Sequence, residues 1–189
     1  MRRARSKVVD LASLIAASSG AAVPRAAAPA RMRVLGIDPG SVRTGWGVVE
    51  RTGQTARGIA AGVIRVSERA PLGERLAAIH RGITEVLAEH QPDAVAIEDI
   101  FFAKYPQAAL MLGHARGVAL LAAAQAGHSV AAYPPAVVKR AVVGSGRAEK
   151  TQVAQLLGAL LGLRELPGID ATDALAVAVT HLNVCRMGA

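Results

Sequence analysis

The 189-residue chain has one cysteine, Cys185. That excludes an internal disulfide and any multi-cysteine metal site, and it fits a reducing, cytoplasmic compartment. Aromatic residues make up only 3% of the chain, while alanine is abundant. Such a composition suits helices packed closely on a sheet through small residues. Long apolar runs are also missing: stretches such as "GVALLAAAQA" fall short of the ~18 residues that a membrane span needs, so no membrane partner is expected. Acids are absent from one whole stretch. Between Asp99 and Glu149 there is no Asp or Glu, yet the stretch carries Lys104, Arg116, Lys139, Arg140 and Arg147, with Lys150 just beyond. A segment this one-sided points to a basic face that binds nucleic acid. The net charge of +8 says less, because residues 1–31 hold six Arg or Lys against one Asp, leaving 16 basic against 13 acidic residues in the remainder. With 52% apolar residues, disorder throughout the chain is excluded.

Residues 1–31 are basic, then rich in Ala, Ser and Pro, and contain no turn-bounded strand. Asp10 interrupts a weak apolar middle, which argues against a signal peptide. The segment reads either as a disordered extension or as the product of an upstream start codon, with Met32 as the true start. Residues 32–186 form the expected folded domain. "RVLGID", "GWGVVER" and "ARGIAAGVIRV" read as three strands joined by short turns, an antiparallel meander. In "PLGERLAAIHRGITEVLAEHQ", Leu72, Leu76, Ile79, Ile83 and Leu87 recur at helical spacing, with Pro71 in the first turn. "DAVAIED" is a fourth strand, 106–125 a helix and "SVAAYP" a fifth strand. Three further helical segments fill 135–185. The expected architecture is an α/β layer fold with a mixed five-stranded sheet flanked by helices.

Two of these strands end in acids, Asp38 and Glu98. If the strands are neighbours, the two carboxylates share one sheet edge. "GIDATDALAVAVTHL" is expected to be an amphipathic helix beginning with Asp170 and Asp173, which at i, i+3 lie on one face. Each acid has an ordinary alternative as a turn residue, an ion-pair partner or a helix cap. Together they point elsewhere, because clustered carboxylates repel one another and a divalent cation resolves the repulsion. Hard oxygen donors select Mg²⁺ or Mn²⁺ over zinc. Two such ions suit in-line hydrolysis of a phosphodiester.

"LGIDPGSVRTGWGVV", "AIEDIFFAK", "LGHARGVALLAAA", "VKRAVVGSGRAEKTQV" and "IDATDALAVAVTH" resemble, in order and spacing, the successive motifs of the RuvC family of Holliday-junction resolvases. The resemblance covers about Met32 to Val184. It implies a ribonuclease-H-like fold and a homodimer that cuts four-way junction DNA by paired, symmetric incisions with Mg²⁺ or Mn²⁺, two ions per active site. It also implies a branch-migration motor as a partner. By motif match the catalytic and metal-holding carboxylates are Asp38, Glu98, Asp170 and Asp173. Lys139 and Lys150 match the basic positions near the cleaved phosphate, and Phe101 matches the junction-stacking aromatic. Thr172 stands where the family usually has a small residue, and the extension is a departure from the family pattern.

Other residues divide less sharply. Phe102 reads as core. Gly113 and Gly117 suit close helix packing, at a dimer contact or within the chain. His114 and Arg116 reach either phosphate or solvent, and His181 reads as structural. "DPGS" also resembles the first phosphate loop of actin-like and sugar-kinase phosphotransferases, but no second "DxG" follows. A junction binder without catalysis would use the basic face alone and has no need of four acids beside DNA.

Overall fold

A computed structural model describes residues 31–99, 106–144 and 149–187. The strands are β1 (Arg31–Asp38), β2 (Arg43–Thr52), β3 (Thr55–Arg65), β4 (Ala94–Glu98) and β5 (Val130–Tyr133). The helices are α1 (Leu72–His90), α2 (Pro106–Gln125), α3 (Pro135–Val143), α4 (Lys150–Leu161) and α5 (Ile169–Met187). The sheet order is β3-β2-β1-β4-β5. β1, β2 and β3 pair antiparallel as the expected meander, whereas β4 runs parallel to β1 and β5 parallel to β4. β1 begins at Arg31, one residue inside the stretch read as extension. Arg31 pairs with Thr52 in the sheet, and its guanidinium meets Glu50 at 2.7 Å.

Strand alternation divides the core into two halves. Leu35, Ile37, Val48, Val95 and Ile97 face α1 and α2, where Ile79, Ile83, Ala115 and Ala119 meet them. Val34, Val49 and Ala96 face α5, with α3 and α4 packed beyond through Val138, Val153 and Leu157. Ile79 and Ile83 are fully buried, so truncating either to alanine costs about 2–5 kcal/mol. Pro71 sits one position earlier than expected, capping α1 instead of entering its first turn.

One expectation changes. α5 is not amphipathic: from Ala171 to Thr180 every residue but Asp173 is buried, because the helix is enclosed by the sheet on one side and by α3 and α4 on the other. α2 is, by length and composition, apolar enough to cross a membrane, but Gln107, His114 and Arg116 interrupt it, so it is no pure apolar run. Its buried alanines, Ala115, Ala119, Ala122 and Ala123, are packed into the core beside α1.

Candidate active site

Asp38 ends β1 and Glu98 ends β4. The parallel register that pairs Ile37 with Ile97 sets these two acids side by side. Period-two alternation from Gly36 and Ala96 turns both toward the α5 face of the sheet. α5 lies directly on that face because three glycines, Gly36, Gly45 and Gly47, stand where the helix comes closest. A Cβ built on Gly36 would collide with the carbonyl oxygen of Ala174 and stand 2.6 Å from the amide nitrogen of Ala178. One built on Gly45 would collide with the carbonyl oxygen of Asp170, and one on Gly47 would stand 2.7 Å from Cγ of Leu175. Gly45 is the cross-strand partner of Asp38. The glycines therefore bring the first turn of α5, with Asp170 and Asp173, down onto the end of β1.

The electrostatics record this convergence. Burial, then the charge of Glu98 and a hydrogen bond shared with it, then the charges of Asp173 and Asp170, raise Asp38 from its ordinary 3.8 to about 8. Two carboxyl groups can share a hydrogen bond only when one of them is protonated. Among the described residues no three His, Cys, Asp or Glu side chains stand close enough, as placed, to ligate one ion. The four acids repel one another, so closing the set around a cation takes side-chain rotation. The donors themselves fit: all are carboxylates, on three regular elements that converge at one end of the sheet. They could hold a hard divalent cation.

Thr172 faces away from this set. Its hydroxyl donates to the carbonyl of Pro167 at 2.9 Å, fixing the start of α5 to the preceding loop. A small cavity of about 220 Å³ is lined by Thr151, Ala154, Ile169 and Asp173 among others. It places the first turn of α4, which begins at Lys150, beside Asp173. Lys139 is half-buried on α3, which packs on α5 through Val138. Arg140 is exposed on the same helix. Arg116 lies on the opposite face of the sheet, paired with Asp99 at 3.1 Å. Phe101, Phe102, Lys104 and Arg147 lie outside the described residues. A Cβ added at Gly113 or Gly117 meets nothing within 4 Å, so among the described residues these glycines serve no close packing within the chain.

Sequence reasoning gathered the four carboxylates but missed the glycines that bring them together. The signal was present: "GWG" places Gly45 and Gly47 at alternate positions, hence on one face, and "LGID" puts Gly36 two residues before Asp38. It also missed Tyr133, the cross-strand partner of Glu98. Its hydroxyl meets Nδ1 of His181 at 2.8 Å, which gives His181 the structural role read for it.

The chain matches the family described as "Crossover junction endodeoxyribonuclease RuvC" over residues 34–181. It is 53% identical over 152 residues to the crossover junction endodeoxyribonuclease RuvC of Azorhizobium caulinodans, covering 80% of this chain and 90% of that one. It is similar in structure to T. thermophilus RuvC in complex with a Holliday junction substrate, with a TM-score of 0.80 at 43% identity, covering 83% of this chain and 96% of the other. The yeast mitochondrial Holliday junction resolvase Ydc2 shares the fold, with a TM-score of 0.63 at 12% identity over 83% of this chain and 80% of that one.

Proposed function

The chain belongs to the RuvC family of crossover junction endodeoxyribonucleases, and from that premise we propose that it resolves four-way DNA junctions by paired, symmetric hydrolysis of phosphodiesters. The observation that carries the reading is the convergence of Asp38, Glu98, Asp170 and Asp173 at one end of the sheet, where burial first and the neighbouring carboxylates after it raise Asp38 to about 8. A protein that only bound DNA would gain nothing from four acids facing phosphate.

In this reading the four carboxylates hold Mg²⁺ or Mn²⁺, two ions per site. When bound, the ions supply an activated water and a stabilised leaving oxygen for in-line displacement. The remaining work belongs to the chain. Parallel strands hold Asp38 and Glu98 at a fixed spacing. The glycine-backed contact of α5 holds Asp170 and Asp173 one helical turn apart against them. Lys150 at the head of α4 and Lys139 on α3 bring positive charge to the cleaved phosphate. Phe101, three residues past Glu98, stacks on a base opened at the crossover. Lys104, Arg116, Arg140 and Arg147 hold backbone phosphates.

Paired incisions need two sites, so the working unit is a homodimer. The second copy seats on α2, whose exposed Leu110 and Leu121 and open Gly113 and Gly117 form an uncovered apolar surface. The reading extends to a branch-migration motor as a partner and to a cytoplasmic location, and the family resemblance supports both.

The test is a synthetic four-way junction labelled on each strand in turn. In Mg²⁺ two opposed strands are cut at symmetric positions, and in EDTA none is. Equal cutting of a linear duplex of the same sequence would contradict the reading.

A further inference from the structure

The basic face read from the sequence lies between residues 99 and 149, but the fold builds a second basic surface outside it. Arg43, the first residue of β2, pairs directly across the sheet with Arg65, the last of β3. Both side chains are exposed. Like charges directly opposite on a sheet destabilise it. The pair sits at the carboxylate end of the sheet: Gly45, two residues after Arg43, is the partner of Asp38. Alternation from Gly45 and Gly47 puts Arg43 on the same face as the acids. Beside Arg65 an open cleft of about 440 Å³ runs to α1, lined also by Ser67, Glu74, Arg75 and Arg81.

Arg75 braces the site instead of facing a ligand, since its Nε donates to the carbonyl of Ser41 at 3.1 Å in the turn after β1. Arg43, Arg65 and Arg81 are different. Among the described residues none of them makes an ion pair or a side-chain hydrogen bond. Glu74 lines the same cleft as Arg65 and Arg81, yet among the described residues it forms no ion pair with either. An opposed arginine pair at the carboxylate end of the sheet, with a third arginine across a cleft from Arg65, weakens the fold and suits a negatively charged ligand.

We propose that Arg43, Arg65 and Arg81 form a phosphate-binding track for the backbone of a junction arm, leading from the carboxylates on the α5 face, over the β3 edge of the sheet, to α1 on the opposite face. Guanidinium groups suit phosphate oxygens through bidentate hydrogen bonds. The track rests on the reading of the chain as a junction nuclease, and it assigns that enzyme a DNA contact on the side of the site opposite β5.

The experiment measures binding of the full chain to a four-way junction in EDTA across a salt series, for wild type and for the double variant Arg65→Gln/Arg81→Gln. Each lost phosphate contact lowers the slope of log affinity against log salt by about 0.9, so the double variant should be shallower by about 1.8. Arg65→Lys/Arg81→Lys should restore most of the slope. Arg65→Gln alone should leave the melting temperature unchanged or raised, because it relieves the opposed pair. An unchanged salt slope in the double variant, or a clear drop in melting temperature for Arg65→Gln, overturns the track. Wild type is assayed alongside on the same junction with Mg²⁺. If it binds and cuts while the double variant keeps its slope, only the track fails. If wild type neither binds nor cuts, the nuclease reading itself fails.

Discussion

Gly45 leaves no space for a side chain between β2 and the carbonyl oxygen of Asp170. That contact sets how closely the first turn of α5 approaches Asp38, the strand partner of Gly45. The obstacle is backbone on both sides, so an added methyl can be accommodated only by moving the helix. Gly45→Ala is therefore expected to cost about 1–3 kcal/mol of stability, as overpacking does. It is also expected to reduce cleavage by more than the loss of folded protein explains. A melt and a cleavage time course per folded molecule separate the two effects. Cleavage unchanged in a normally folded variant would show that the approach of α5 does not matter to the site.

The pH dependence of stability follows from Asp38. Its folded value of about 8 lies above the ordinary 3.8. Between those limits the folded chain keeps a proton that the unfolded chain has lost, so stability is fullest below about pH 4 and declines as pH rises toward 8. In EDTA the Asp38→Asn variant should lose this decline relative to wild type. Added Mg²⁺ competes with the proton, so it should raise the melting temperature of wild type more at pH 8 than at pH 5. Parallel melting curves for wild type and variant across this range would remove Asp38 from the acidic cluster.

Phe101 follows Glu98 by three residues, just past the end of β4. If it stacks on an unpaired base, Phe101→Ala removes a contact worth ~1–3 kcal/mol and slows junction cleavage, while the melting temperature barely moves. If it packs in the core, the change costs about 3–5 kcal/mol of stability. A large drop in melting temperature with unchanged cleavage per folded molecule assigns it to packing.

Local signals in the sequence carried most of the elements. Asp38 and Glu98 were legible because each ends an apolar run, and Asp170 and Asp173 because their spacing places them on one helical face. What joins them was not legible, since the role of Gly36 and Gly45 depends on which helix crosses which face, a non-local fact. The enclosure of α5 was hidden for the same reason: a helix covered on both sides loses the polar stripe that marks an amphipathic one. The Arg43–Arg65 pair depends on the β2–β3 register, which no stretch of sequence displays by itself. α2 passes for a membrane span by composition, and which of its faces packs beside α1 is again a non-local fact.

The account stands most directly on the carboxylates as a catalytic set, and one paired measurement addresses it. Wild type and Asp38→Asn are compared on the same strand-labelled four-way junction in Mg²⁺, with single-turnover cleavage and band-shift affinity read from the same preparations. Losing one ligand should remove several kcal/mol of transition-state stabilisation, a fall in rate of at least ~10²-fold, while the acid contributes no favourable contact to anionic DNA. The account predicts near-abolished cleavage with affinity within a few-fold of wild type. Cleavage by Asp38→Asn at close to the wild-type rate would contradict it.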